Sequence, residues 1–158
     1  MPVKLYLVQH GEACASEVDP ERPLTERGRA DVELLAAFLS QAGLRVGCVV
    51  HSGKLRARQT ADILAAAVAP GVVPVSRADI NPNDDPTAID WGGAEWGRDT
   101  LVVSHMPFLA GLVSFLVTGV PDKSVVAYLP GTLVCLERAE GGWQIDWVIR
   151  PELLRGLS

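Results

Sequence analysis

Leu5-Tyr6-Leu7-Val8-Gln9-His10-Gly11-Glu12 is the stretch on which the reading of the fold turns. A run of apolar, β-favouring residues ends abruptly in an amide, a histidine, a glycine and an acid. The pattern predicts a buried strand that delivers His10 to its carboxyl-terminal edge, with Gly11 letting the backbone turn away at once. In open parallel sheets this edge is where ligands bind. A histidine there serves as a nucleophile, a general base or a metal ligand, depending on what else arrives.

Two further strands of the same kind follow. Val46 to Val50 is a short apolar run that leads into His51-Ser52-Gly53, and Thr100 to Ser104 leads into His105. Between them the spacing turns helical. Thr25 is a plausible N-cap, Val32, Leu35, Ala36 and Leu39 recur at helical intervals, and Gly43 marks the stop. Ala57, Ala61, Ile63, Leu64 and Ala67 mark the buried side of a second helix, closed by Pro70-Gly71, with Val72 to Val75 as a short edge strand. Asn81 to Arg98, with Pro82, Pro86 and Gly92-Gly93, reads mainly as loop with a turn or two of helix; Asp90, Trp91, Glu95 and Trp96 make it either a wet loop with aromatic anchors or a partner-docking rim. Pro107 stands where a third helix begins, continuing through Phe108 to Val117. Thr132 to Arg138 and Trp143 to Ile149 alternate around Glu140-Gly141-Gly142, a β-hairpin signal. Together these predict an α/β protein: a three-layer α/β/α sandwich around a mainly parallel sheet with an antiparallel edge hairpin, in a single domain over residues 1–158.

Composition narrows the function. The formal net charge of −5 argues against general nucleic-acid binding, because duplex affinity rests on basic residues. No stretch is long and apolar enough to span a bilayer, and the chain enters its first strand without a basic-then-apolar leader. Cys14, Cys48 and Cys135 are odd in number and lack C-x-x-C spacing, which fits core or near-surface thiols in a reducing compartment. A cytoplasmic protein without membrane partner is the expectation. No metal-ligand set and no nucleotide-binding fingerprint is present, so neither metal nor cofactor is expected.

If the three strands are neighbours, His10, Ser52 and His105 converge on one crevice. Arg56 lies four residues past Ser52, in the first turn of a helix whose free N–H groups also attract anions. Arg22, in the loop that leaves the first strand, is placed to reach the same crevice. Guanidinium groups suit bidentate capture of a phosphoryl group. The residues alone point to a site for a small, dense anion with a histidine positioned to attack it. His51 reads as a rim residue, Lys54 and Arg58 as a solvated helix face, and Glu12 either holds an imidazole or caps the turn.

Four blocks carry a resemblance: Leu7 to Ala13, Arg22-Pro23-Leu24-Thr25 with Gly28, Ser52 to Ala61, and Val102 to Pro107. In this order and spacing the chain resembles the histidine phosphatase (phosphoglycerate mutase-like) superfamily, and within it the small SixA-type phosphohistidine phosphatases. The resemblance implies that His10 is the nucleophile that becomes phosphorylated. It implies Arg56 and His105 as the other catalytic groups, with Arg22, Arg56 and His105 as phosphate ligands; Gln9 can still donate a hydrogen bond to a phosphate oxygen, and Ser52 either bonds phosphate or caps the next helix. It also implies a phosphohistidine-bearing protein, a phosphotransfer domain or phosphocarrier, as substrate.

Two departures shape that expectation. The family hallmark opens Arg-His-Gly, and this chain has Gln9 before His10. A neutral donor in place of a charged one puts roughly one or two powers of ten in rate or affinity at risk. The second departure is the lack of an obvious general acid; only Asp84 and Asp85 lie in roughly the right region. An alkoxide leaving group needs such an acid, whereas the imidazole of a phosphoramidate needs it much less. The expected activity is therefore phosphohistidine hydrolysis. The alternatives are a small-metabolite phosphomonoesterase using Asp84 or Asp85, and a weakly active sensor that binds a phosphorylated partner.

Overall fold

A computed structural model of the chain describes residues 2–156. In chain order it runs β1 (Lys4–Gln9), α1 (Glu26–Gln41), β2 (Cys48–His51), α2 (Leu55–Val68), β3 (Val75–Ser76), β4 (Thr100–Ser104), α3 (Phe108–Thr118), β5 (Leu133–Ala139) and β6 (Gly142–Ile149). Short 3-10 turns occupy Pro86–Ala88, Ala94–Trp96 and Pro151–Leu153. The six strands form one sheet in the order β3-β2-β4-β1-β5-β6. β3, β2, β4 and β1 are parallel, and β5 and β6 add an antiparallel edge.

The core explains the layers. Along β1, Tyr6 and Val8 point to one face and Leu5 and Leu7 to the other, as the two-residue period of a strand requires. The first face packs against Val32, Leu35 and Leu39 of α1 and Ala61, Leu64 and Val68 of α2. The second packs against Leu109, Leu112 and Val113 of α3. A sheet covered on both faces needs strands that are apolar throughout, and β4 is buried at all five residues. Helices on both faces of a mainly parallel sheet are the expected sandwich.

Local chemistry sets the helix ends. Thr25 accepts the Gly28 N–H at 2.9 Å and so caps α1, and Gly43 beyond its end has φ +76°. α3 ends on Gly119 at φ +90°, a conformation open to glycine at little cost.

Several expected boundaries move. β2 starts at Cys48, because the Val46 and Gly47 N–H groups are taken by Val68 O and Asp99 O. β3 shrinks to two residues, since the Val72 N–H folds back onto Ala69 O. Pro107 stands at the cap of α3, one residue before its first turn. The Asn81–Arg98 segment contains two 3-10 turns, its acids Asp90 and Glu95 are exposed and its tryptophans are the anchors. Trp91 and Trp96 are buried against the α3 side of the sheet, with ring centroids 4.4 Å apart. Arg138 donates to both of their carbonyls, at 3.1 and 3.4 Å, which ties the segment to β5.

One close approach fixes the loop after β1. A Cβ on Gly28 would fall 2.1 Å from Glu12 O, and one on Gly11 would fall 2.7 Å from Val32 Cγ2. The turn that carries His10 thus rests directly on the first turn of α1. Replacing Gly by Ala inside a helix ordinarily stabilises by roughly 1 kcal/mol. At Gly28 the sign reverses: the backbone clash makes Gly28→Ala destabilising by about 1–3 kcal/mol, read as a lower midpoint in urea unfolding.

Candidate active site

The sheet order makes β2, β4 and β1 neighbours, so their carboxyl-terminal ends lie side by side. The His10 N–H donates to Ser104 O at 3.1 Å, which binds the end of β1 to the end of β4. The His10 and His105 rings stand 4.9 Å apart between centroids, tilted by 55°. Ser52, at the end of β2, places its Oγ 2.6 Å from His105 Nε2. The three strand-end residues named from the sequence do meet.

The state of His10 follows from its contacts. Its Nδ1 lies 2.7 Å from Gly11 O, and a carbonyl only accepts, so Nδ1 carries the proton and Nε2 keeps its lone pair. Burial lowers its pKa from 6.5 to about 4, and the Arg56 and Arg22 charges push the same way. His105 is lowered to about 3, again first by burial, then by His10 where that ring is protonated and by the positive charges of Arg56, Lys54 and Arg22. Both rings are neutral at pH 7. Imidazole Nε2 of His10 is therefore available for attack without prior loss of a proton.

Arg56 lies in the first turn of α2, half-buried, with its Nε enclosed and without a hydrogen-bond partner among the described residues. Its pKa is lowered by burial and by the neighbouring Arg22. Arg22 is held in an uncommon conformation, φ +50°, and donates from Nε to Cys14 O at 2.9 Å. Both terminal guanidinium nitrogens of Arg22 are without a hydrogen-bond partner among the described residues. Gln9 has its Oε1 enclosed and unpartnered among the described residues. The charged groups acting on His10, His105 and Arg56 are all cationic. In a chain of net charge −5 this is a local concentration of positive charge that no carboxylate among the described residues neutralises.

The remaining candidates fall away from the centre. Glu12 is exposed and accepts the Thr25 hydroxyl at 2.9 Å, so it braces the turn. His51 is buried within β2 and accepts the Gly53 N–H at Nδ1, a structural bond. Asp84 accepts the Asn81 N–H, and Asp85 accepts from the Thr87 N–H and hydroxyl. Those bonds hold the Asp85 pKa below the usual carboxylate range, the wrong direction for a proton donor. Among the described residues no three His, Cys, Asp or Glu side chains cluster to hold a metal ion. A concavity of about 690 Å³ lies at the opposite sheet edge, between the end of α3 and the β5–β6 turn, and no site residue lines it.

Two residues escaped the sequence reading. Thr60 Oγ1 accepts the Gly11 N–H at 3.0 Å and donates to Arg56 O at 2.8 Å. Gln59 Oε1 accepts the Leu24 N–H at 2.8 Å. Arg56, Gln59 and Thr60 are spaced i, i+3, i+4 on α2, so one helix face carries the guanidinium and fastens both loops around it. That spacing was visible in the sequence; the partners were not.

A lone pair on a buried imidazole, two free guanidinium groups and a hydroxyl can hold a phosphoryl group and accept it on nitrogen. Comparison with known proteins agrees. The family model of the histidine phosphatase superfamily (branch 1) matches residues 5–79, which contain His10, Arg22, Ser52 and Arg56. Over that stretch the chain is similar to the histidine phosphatase superfamily. An uncharacterised protein of Picosynechococcus sp. is 44% identical over 68 residues, 41% of each chain. The mitochondrial serine/threonine-protein phosphatase PGAM5 of Homo sapiens is 33% identical over 94 residues, 55% of this chain and 32% of that protein. The matched stretches thus span less than half the length of these relatives. The fold is that of the protein histidine phosphatase SixA, solved with tungstate: the TM-score is 0.83 at 23% identity, over 97% of this chain and 100% of the other.

Two outcomes follow from the geometry. Thr60→Val keeps the shape but leaves the Gly11 N–H without its acceptor; we expect about a tenfold fall in activity with the fold intact by circular dichroism, and recovery in Thr60→Ser. The second outcome concerns acid. The unfolded histidines take up protons near pH 6.5, the folded His10 only near 4 and His105 near 3. Between these values the unfolded state binds more protons. Stability is therefore full above pH 6.5 and is lost as pH falls toward 3–4, measured as unfolding midpoint against pH.

Proposed function

We propose that the chain is a metal-independent phosphohistidine phosphatase, a single histidine phosphatase domain over residues 1–158 that acts in the cytoplasm. The observation that carries this reading is the pair of neutral, buried imidazoles in an exclusively cationic setting. His10 Nε2 attacks the phosphorus of a phosphohistidine on a protein, a phosphotransfer domain or phosphocarrier. A new N–P bond forms at Nε2 as the substrate's N–P bond breaks; the substrate ring, protonated on its other nitrogen, takes the bonding electron pair and leaves as neutral imidazole. Water then attacks phospho-His10, releasing inorganic phosphate and restoring the lone pair. The Gly11 carbonyl holds the Nδ1 proton throughout, which keeps the attacking nitrogen in one tautomer.

In a loose phosphoryl-transfer transition state the charge sits on the equatorial oxygens, so positioning and neutralising them is the main task. Arg56, Arg22, Ser52, His105 and the Gln9 amide are the groups for that task. What divides phosphoramidates from esters is the leaving group. General acid catalysis supplies about 10²–10⁴-fold to a poor leaving group. Asp84 and Asp85 are engaged in their own turns, and neutral His105 is a weak acid, which favours the phosphoramidate over a metabolite ester. The relatives do not decide this, since one is named as a serine/threonine phosphatase and another as a histidine phosphatase. Gln9 favours a second reading, a sensor that holds the phosphorylated partner and turns it over weakly.

The test is steady-state turnover, with chelator present, of a phosphohistidine peptide beside an aryl phosphate and phosphoglycerate. We expect turnover of the peptide to exceed that of the esters by about 100-fold or more, and to vanish in His10→Ala. Equal turnover of esters, or activity retained in His10→Ala, overturns the assignment. Binding without turnover of any substrate favours the sensor.

A further inference from the structure

One bond inside the site allows its protons to be counted. Ser52 and His105 are both buried, and Ser52 Oγ lies 2.6 Å from His105 Nε2. The Lys54 N–H donates to the same oxygen at 3.4 Å. The other ring nitrogen, His105 Nδ1, is enclosed and has no hydrogen-bond partner among the described residues. A neutral imidazole carries one proton, on either nitrogen, and a hydroxyl has one proton to give and two lone pairs to receive.

The two placements of the ring proton leave different remainders. With the proton on Nε2, that nitrogen donates to Ser52 Oγ, which also receives the Lys54 N–H. The hydroxyl proton then has no acceptor among the described residues, and Nδ1 keeps an unmatched lone pair. With the proton on Nδ1, Ser52 donates to Nε2 and receives from Lys54, and the one group left over is the Nδ1 N–H. A buried polar group without a partner is costly, so the second placement is the favoured one. Its remainder is a donor. The other enclosed, unpartnered nitrogen of the site, Arg56 Nε, is a donor as well. Two unmatched donors suit an anion with several oxygens.

We propose that Ser52 is a positioning residue: it donates its hydroxyl proton to His105 Nε2 and so holds the His105 proton on Nδ1 for the phosphoryl group, instead of binding that group itself. With its proton committed, Ser52 offers an anion only lone pairs. The role of helix cap is not its own either, since α2 is capped at Lys54 without a side-chain bond. The proposal rests on the phosphatase reading for what fills the site, while the placement of the proton is a property of the empty protein.

The test reads the tautomer directly, on the full chain labelled at the histidine nitrogens. Long-range proton–nitrogen correlations at pH 7 distinguish a protonated ring nitrogen from one with a lone pair, and His105→Gln identifies the His105 signals among the three histidines. We expect the His105 proton on Nδ1 in wild type and in Ser52→Thr, and shifted toward Nε2 in Ser52→Ala. A merely structural serine would leave it unmoved. In Ser52→Ala, kcat/KM on a phosphohistidine peptide and calorimetric binding of inorganic phosphate each fall by about tenfold, and Ser52→Thr retains both within about threefold. In a His105→Ala background, adding Ser52→Ala costs about twofold or less, because the ring through which the serine acts is gone. A direct phosphate ligand would cost the same in both backgrounds.

A His105 proton on Nε2 in wild type overturns the proposal, as does a tautomer unmoved in Ser52→Ala or an equal loss in both backgrounds. If the wild type turns over no phosphohistidine while the tautomer still depends on Ser52, the functional reading fails and the role of Ser52 stands.

Discussion

The site depends on keeping several positive groups together without a negative one. Arg22 and Arg56 act on each other and on two imidazoles, and each pairwise effect is unfavourable in the empty protein. Such an arrangement persists only if the scaffold holds it. The scaffold does so with bonds that are themselves uncharged: Gly11 O to His10, Cys14 O to Arg22, Thr60 between Gly11 and Arg56, and Gln59 to Leu24. Neutral bonds restrain the geometry without discharging the field. A carboxylate in any of these roles would orient a side chain equally well and cancel the attraction for an anion.

Burial acts in the same direction. An imidazole in water is partly protonated near neutral pH, and a protonated nitrogen cannot attack phosphorus. Burial lowers His10 to about 4, so the free base dominates at pH 7. The close contacts of Gly11 with Val32 and of Gly28 with Glu12 seat the loop after β1 on α1, and the Gly11 carbonyl meets His10 Nδ1.

Under the proposed function, the same logic separates this site from one that cleaves esters. A site that must protonate an alkoxide needs a carboxyl group with a raised pKa, which means a carboxyl group that is buried or beside another acid. The acids of the 81–98 segment are instead exposed or hydrogen-bonded within their own turns. The tryptophans of that segment, not its acids, turn inward, and they secure it to the sheet from the α3 side. The segment works here as a packing element.

Much of the architecture was legible in the order of residues. The two-residue alternation, the Thr25 cap, the Gly43 stop and the Gly141-Gly142 turn are local signals, and each had the expected effect because backbone preferences act over a few residues. The placement of His10, Ser52 and His105 at strand ends and of Arg56 at a helix start was legible for the same reason: strand ends and helix starts are short-range patterns. Only the tertiary structure could decide that β4 lies between β2 and β1, since strand order depends on how both faces of the sheet are covered. That order brings Ser52 to His105 and His10 to Ser104. Likewise Thr60 and Gln59, the inward tryptophans and the local capture of Asp84 and Asp85 depend on partners far away in sequence or on burial, which no local pattern records. Residue types and their local placement were set by sequence; their protonation, their partners and the unneutralised charge came from packing, because burial and distance are properties of the assembled fold.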